Sequence, residues 1–446
     1  MTKQQTATTT LVLGMGISGM ACARYLSKQN IKFVMADTRA QPPGLVEFKT
    51  NFVNSDLYLG DFANLSLDGI DRIVLSPGLA LELPIVQSAL AQGIEVIGEI
   101  ELFAQAVNAP VVAITGSNGK STVTTLFGLM IAAANRSVCV GGNLGTAALD
   151  LLTTPAPTAY VLELSSFQLE TTFSLKPEVA IVLNVSEDHM DRYVDLQAYA
   201  DTKARIYKYA KFNIVNRDDA VVKAMAEKLS NVISFGLDQP AAQQYGLSFI
   251  DEQNYLMRGN EKLLAVSELK IAGLHNAANV LACLAMGEAL QLPMTAMLQA
   301  AREFAGLPHR CNLVAQYKDV RFYNDSKATN IGAAAAALNG MTQPVILIAG
   351  GDGKGADFKT LRESVKNKVK AIILLGRDAQ HIADAVSDLT QCYFVSDMQA
   401  AVAKSMTLMT AGDVVMLSPA CASLDMYRNY AHRGDEFTSC VQALTQ

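Results

Sequence analysis

Val111 to Thr122 reads Val-Val-Ala-Ile-Thr-Gly-Ser-Asn-Gly-Lys-Ser-Thr, an apolar run that breaks into a glycine-bearing turn. Each part has a use at a phosphate. Gly116, Ser117, Asn118 and Gly119 can bring backbone N–H groups close to anionic oxygens. Lys120 supplies positive charge, Ser121 a hydroxyl suited to Mg²⁺, and Thr122 opens a helix whose positive end faces the anion. The turn departs from the usual P-loop, because only two residues separate its glycines and Ile114 stands where the first glycine belongs. A bare Gly-Lys-Ser also fits a purely structural turn. The apolar strand before it and the long apolar helix to Ala134 favour a nucleotide site.

A second glycine turn, Gly14-Met-Gly-Ile-Ser-Gly19, follows an apolar run, and Asp37 closes the next such run eighteen residues later. That is a dinucleotide fingerprint in its proper setting, and by itself it fits NAD, FAD or another nucleotide diphosphate. Hydride transfer would need only this turn, whereas phosphoryl transfer needs the other. A chain with both points to two nucleotides, or to one nucleotide and one nucleotide-linked substrate.

Further polar groups gather where apolar runs end. Glu163 closes Tyr160-Val-Leu-Glu, where a carboxylate could share Mg²⁺ with Ser121 or could simply be a surface charge. After Val182 come Asn184, Asp188, His189 and Asp191; His189 is one of only five histidines. Asn276 and Asn279 are spaced for one helical face, suited to a purine edge or to capping. His309 and Arg310 follow a turn. Asp325, Lys327 and Thr329, then the Gly350–Gly355 loop with Lys354, add more anion contacts. Ser418 to Tyr430, with Ser423 and Leu424, is expected to start a helix after a final strand.

The elements needed to position these groups are alternating strands and helices, an α/β chain with mostly parallel sheets. With 446 residues, half of them hydrophobic and 17% charged, several domains with large cores are expected. The best divisions are 1–98, 99–306 and 307–446, with turn residues near Asn108–Pro110 and Gly306–Pro308. Strands are expected at 10–14, 32–37, 72–76, 111–115, 158–164, 179–185, 344–349, 371–375 and 413–417. Helices are expected at 19–29, 122–134, 197–210, 276–290 and across the Ala333–Ala337 run. The net charge of −6 argues against a general nucleic-acid binder. Seven scattered cysteines without a Cys-x-x-Cys pair fit reduced thiols in a cytoplasm. The polar, Thr-rich start lacks a signal core, and no run reaches the length of a membrane span.

Taken jointly, the blocks Thr115–Thr122, Glu163–Glu170, Asn184…Asp191, Gly306–Arg310, Asn324–Asn330 and Ser418–Met426 resemble the Mur ligases along essentially the whole chain. The resemblance implies three domains: a Rossmann-like N-terminal domain for a UDP-linked substrate, a P-loop-type central ATPase domain and a Rossmann-like C-terminal domain for an amino acid. Asp37-Thr38-Arg39 and the Glu163 and Ser418 blocks favour the branch that joins D-glutamate to UDP-MurNAc-L-Ala. The first loop would then hold UDP rather than NAD, with Ile17, Ser18, Asp37, Thr38 and Gly78 around the uridine and Asn143 nearer the sugar or pyrophosphate. ATP would lie on residues 116–122, with Asn276, Asn279, His309, Arg310, Asp325 and Lys327 in contact. Ser121 and Glu163 would take one Mg²⁺. His189 and a carbamylated Lys203 would take a second, so that Lys120, His189 and Lys203 serve the chemistry. Thr329, Lys354, Ser423 and Leu424 would recognise the amino acid, near Tyr430 where relatives carry Phe. The resemblance further implies a monomer in the bacterial cytoplasm. A folylpolyglutamate synthase would share the ATP core but has no call for a complete UDP-type first domain.

Overall fold

The computed structural model describes residues 9–271, 273–366 and 368–445. The polar start at residues 1–8 and Ala272, Asn367 and Gln446 lie outside the described residues. Three sheets follow one another along the chain. The first has five parallel strands, ordered Asp56–Leu59, Phe33–Asp37, Thr10–Leu13, Arg72–Leu75, Glu95–Ile97. Reversal of strand order beside Thr10–Leu13 opens the crevice in which Gly14–Gly19 lies.

The central sheet has nine strands. Strand Val111–Thr115 lies inside it, between Ala159–Glu163 and Val179–Val182, with all five of its residues buried. Its apolar residues suit such a two-sided position, and the buried Thr115 hydroxyl is satisfied by the Leu164 carbonyl (2.7 Å). The ends of these strands deliver Gly116, Glu163 and the Leu183–Ser186 segment to one edge. Beyond Val232–Phe235 the sheet continues as two antiparallel pairings, Tyr245–Ile250 with Gln253–Arg258 and that strand with Glu261–Ala265. The third sheet has six strands, parallel except for the pair Asn312–Tyr317 and Val320–Asn324.

Strands and helices fall close to their expected positions, with shifted ends. Helix Lys120–Ala133 starts two residues early, and strand Val179–Val182 stops before Val185. One expectation fails. Ser418–Asn429 does not start a helix; the helix is Tyr430–Thr445. Ala420 takes φ of 58°, and Ala422 bridges back to Asp352. Arg433 is buried beside this segment, and its guanidinium donates to the carbonyl oxygens of Cys421 (3.1 Å) and Ser326 (2.9 Å).

One apolar cluster runs through the first two domains without a break. It joins Val12, Met20 and Phe48 to Val111, Tyr160 and Leu162 through Ile100, Leu102 and Phe103 of helix Glu99–Ala106. Polar ties reinforce the join. Arg24 of the first domain forks onto Asp150 of the second, and within the second Glu101 of the joining helix accepts from the N–H groups of Phe173 (2.7 Å) and Ser174 (2.9 Å). The buried clusters of the third domain contain only its own residues.

Candidate active site

Gly116 and Gly119 have φ of 146° and 84°, which only glycine adopts without strain. A Cβ at Gly119 would lie 2.7 Å from the Asn279 side-chain oxygen, so the loop and helix Leu274–Ala289 meet there. The loop is pinned to the neighbouring strand end. Asn118 N–H donates to Asn184 Oδ1 (2.8 Å) and Ser117 N–H to the Asn184 carbonyl (2.9 Å). Helix Lys120–Ala133 has no side-chain cap, so its first N–H groups remain available to an anion. Lys120 is folded back, its Nζ 2.8 Å from the Gly116 carbonyl and 2.9 Å from that of Ser117. Burial lowers its pKa, against the pull of Glu163 and Asp188. The loop borders a cavity of about 520 Å³ between the central and C-terminal domains.

Glu163 faces that cavity with one oxygen committed and one free. Oε1 accepts from Asn143 Nδ2 at 2.7 Å; Oε2 is buried with no hydrogen-bond partner. Ser121 lines the same cavity. A buried carboxylate oxygen left unpaired is unfavourable by a few kcal/mol, roughly 1–3 or more. Hard oxygen donors of this kind suit Mg²⁺, so Ser121 and Glu163 fit the ion expected of them.

Lys203, on helix Leu196–Ala204, is 1% exposed. Its Nζ lies 3.0 Å from the same Gly116 carbonyl that Lys120 takes, and 4.3 Å from the centroid of the Tyr199 ring. Burial first, and Lys120 second, hold its pKa well below the ordinary lysine value. A lowered pKa favours the neutral amine, the form whose free electron pair reaction with CO₂ requires. His189 takes φ of 60° and packs edge-on to Phe167, with ring centroids 4.8 Å apart. Its pKa is lowered by burial despite Asp188, whose carboxylate is 3.7 Å from Nε2. Among the described residues no group of three or more His, Cys, Asp or Glu forms a ready cage. The expected donor set is instead a mixed one of hydroxyl, carboxylate, imidazole and modified lysine.

Across the cavity stand groups from the third domain. Arg310 lines the cavity, half-buried, near Glu163 and Asp325, and desolvation lowers its pKa. Asp325 accepts from Cys311 N–H (3.2 Å) and Ser418 Oγ (2.8 Å), and burial pushes it up to about 7. Lys327 lies 3.9 Å from the centroid of the Tyr430 ring, and burial followed by Arg310 brings it down to about 8. Asn324 Nδ2 donates to His309 Nδ1 (3.1 Å), and the His309 ring meets Tyr430 edge-on. Asn279 Nδ2 donates to Asn276 Oδ1 at 3.2 Å. Thr329 lines the cavity as well. His309, Lys203, Lys354, Ser423 and Leu424 do not line it: Lys203 and Ser423 are buried, Lys354 pairs with Asp188, and Leu424 is 72% exposed.

The first domain holds a separate cavity of about 370 Å³. Ile17, Ser18, Asp37, Thr38 and Gly78 all line it, and Asn143 does not, lying at Glu163 instead. Asp37 has both oxygens engaged. Oδ2 takes Met15 N–H (2.7 Å), Oδ1 takes Arg39 N–H (2.9 Å), and the Arg39 guanidinium reaches both. Burial alone would raise its pKa, but these bonds together bring it below the usual carboxylate value. Arg39, Asp188 and Asn330 also stand at these sites, though the sequence assigns none of them a role there. Their signal was position within the Asp37-Thr38-Arg39, Asp188-His-Met-Asp191 and Asn324–Asn330 blocks.

Three family descriptions match in chain order: the MurD-like N-terminal domain of Mur ligases over residues 8–98, the Mur ligase middle domain over 114–287, and the Mur ligase glutamate ligase domain over 309–421. The chain belongs to the Mur ligase family. This Mur ligase is 49% identical over 439 residues to the UDP-N-acetylmuramoylalanine--D-glutamate ligase of Pseudomonas savastanoi pv. phaseolicola, covering 98% of each chain. It is 46% identical over 442 residues to the ligase of the same name from Nitrosococcus oceani, covering 99% of this chain and 98% of that one. Among solved structures, the fold is shared with the UDP-N-acetylmuramate-alanine ligase MurC of Thermotoga maritima (TM-score 0.62, 16% identity, 98% and 99% of the two chains). It is likewise shared with a pseudomurein peptide ligase type C from Methanothermus fervidus (TM-score 0.64, 16% identity, 98% and 100%). No helix among the described residues is long and apolar enough to cross a membrane.

Proposed function

We propose that this Mur ligase joins D-glutamate to UDP-N-acetylmuramoyl-L-alanine, converting ATP to ADP and phosphate, as a cytoplasmic monomer in bacterial peptidoglycan synthesis. The observation that carries the reading is the convergence, in one cavity, of a phosphate loop, an unpartnered Glu163 oxygen and the third domain's Arg310 and Lys327. The near full-length identity to ligases of that name supports the choice of substrates.

In this reading the N–H groups of residues 116–122 and Lys120 hold the ATP phosphates, while Asn276, Asn279, His309, Arg310, Asp325 and Lys327 surround the rest of the nucleotide. Ser121 and Glu163 hold one Mg²⁺; His189 and carbamylated Lys203 hold another. Bound there, such ions offset phosphate charge and polarise the transferred group. Lys120 leaves its two carbonyl partners for the terminal phosphate. A carboxylate is a poor electrophile until one of its oxygens carries phosphate. Transfer of the terminal phosphoryl group of ATP to the alanyl carboxylate gives an acyl phosphate. The deprotonated amine of D-glutamate adds to its carbonyl carbon, and the tetrahedral intermediate collapses with loss of phosphate. Most of the rate gain then comes from alignment and from charge placed before the reaction.

Ile17, Ser18, Asp37, Thr38, Gly78 and Asn143 take the UDP-linked substrate. Thr329, Lys354, Ser423 and Leu424 take D-glutamate, which requires Lys354 to exchange Asp188 for a substrate carboxylate. The test is Mg²⁺-dependent phosphate release from ATP with UDP-N-acetylmuramoyl-L-alanine and a panel containing D-glutamate, L-glutamate and other amino acids. Release with D-glutamate is expected. Release only with a different amino acid would reassign the substrate, and no release with any would sink the reading.

A further inference from the structure

Asn330 lies at the seam between the central and C-terminal domains and is 6% exposed. Every arm of its side chain is in use. Its Oδ1 accepts the Ala333 N–H at 2.9 Å, capping helix Ile331–Asn339. Its amide nitrogen crosses the seam to two places at once, Asn118 Oδ1 in the phosphate loop (3.2 Å) and Asp188 Oδ2 (3.1 Å). Only a side chain with one acceptor and two donors can serve all three partners; aspartate has no donor and serine has one.

The surroundings fix how tightly these parts fit. A Cβ at Gly332 would lie 2.8 Å from Ser186 Oγ and 3.3 Å from Asn118 Nδ2, so the helix start is seated on the loop. Ala333, Ala336 and Ala337 of the same helix line the nucleotide cavity. Asp188 takes Lys354 on its other oxygen, so both cross-domain ties of that carboxylate come from the third domain. Lys327 and Thr329 lie within three residues of Asn330 on the same segment.

We infer that Asn330 is a positioning residue that couples the phosphate loop to closure of the C-terminal domain. Its two donors join Asn118 and Asp188 to the cap of the helix that roofs the nucleotide. The domain can therefore seat Lys327 and Thr329 only when the loop and Asp188 hold the arrangement seen here. The activity readout rests on the proposed ligase reading; the shape readout does not.

Asn330→Asp keeps the capping acceptor, removes both cross-domain donors and sets a carboxylate against Asp188, where like charges repel. Loss of two hydrogen bonds, one to an ionised acceptor, is expected to lower kcat/KM for D-glutamate about 100-fold. ATP affinity in the absence of amino acid should change little, because the ties of the loop to Asn184 and the helix cap remain. Small-angle scattering with a non-hydrolysable ATP analogue should show the variant more extended than the wild type. Asn330→Ser, which also keeps a capping oxygen, should lose less, and it carries the same measurements if the aspartate variant does not fold. A cap alone would leave both variants as compact and as active as the wild type, and that result would overturn the inference. Wild-type protein inactive on every amino acid would instead count against the ligase reading, with the scattering comparison still deciding the coupling.

Discussion

The two strand–glycine–helix turns of this chain are built alike and held in opposite states. At Gly14–Gly19 the carboxylate of the fingerprint is satisfied: Asp37 holds Met15 and Arg39, and nothing there waits for a partner. At Gly116–Lys120 the polar groups are held in compromise. Two lysines share the carbonyl of Gly116, Glu163 keeps an unpaired oxygen, and the half-buried Arg310 feels its charge. The first arrangement is a finished receptacle that can accept a ligand without rearranging. The second gains stability only when phosphate oxygens and cations complete it, as expected where charge must be stabilised during a reaction rather than merely bound.

Glu163→Gln should separate the two turns most sharply. It removes the orphaned charge, so kcat should fall about 1,000-fold while folding stability stays level or rises. A drop in melting temperature alongside the lost activity would mean that Glu163 is structural, and the contrast would collapse. Lys203→Ala should cost about 100-fold in kcat, recovered in part by a short carboxylic acid such as formate that can replace the lost ligand. Unchanged activity would remove the carbamate proposal, and failure of every small acid to restore activity would weaken it.

Asp37→Ala should do the reverse of Glu163→Gln. It strands the Met15 and Arg39 N–H groups, so stability should fall by about 2–4 kcal/mol in chemical denaturation. KM for the UDP-linked substrate should rise about tenfold with kcat nearly unchanged, if this turn only binds. An equal fall in kcat would show that the first turn also takes part in the chemistry. A further effect concerns pH. Asp325 is raised by burial to about 7, above the roughly 3.9 of an unfolded aspartate. Its contribution to stability is therefore full below pH ~4 and is lost as pH rises towards 7. Relative to wild type, Asp325→Asn should gain stability from pH 5 to 8. A difference between the two that does not vary with pH would remove that assignment.

The parts of the site legible in the sequence are those encoded locally. A buried strand, a glycine turn and a following helix announce themselves within twelve residues, and Glu163 is marked by the apolar run it closes. Lys203 is different, because its nitrogen is held by Gly116, 87 positions away, and lies over the Tyr199 ring. Without the family resemblance it reads as a surface lysine. Asn330 and Asp188 likewise acquire meaning only from a seam between distant domains. The Ser418 segment misled for the same reason. Its residues tolerate a helix, but Arg433 and Asp352 claim the backbone groups that a helix would use. The antiparallel strands from Tyr245 to Ala265 were not foreseen from the sequence.

The unbroken apolar cluster across the first two domains sets how this molecule comes apart. Parting those domains would expose Ile100, Leu102 and Phe103 to water, whereas parting the third breaks chiefly polar ties such as Lys354–Asp188 and Asn330–Asn118. Calorimetry should therefore register two cooperative units rather than three, with the division falling near residue 307. A destabilising change in the core of the first domain would then be felt at the ATP loop, and one in the core of the third would not.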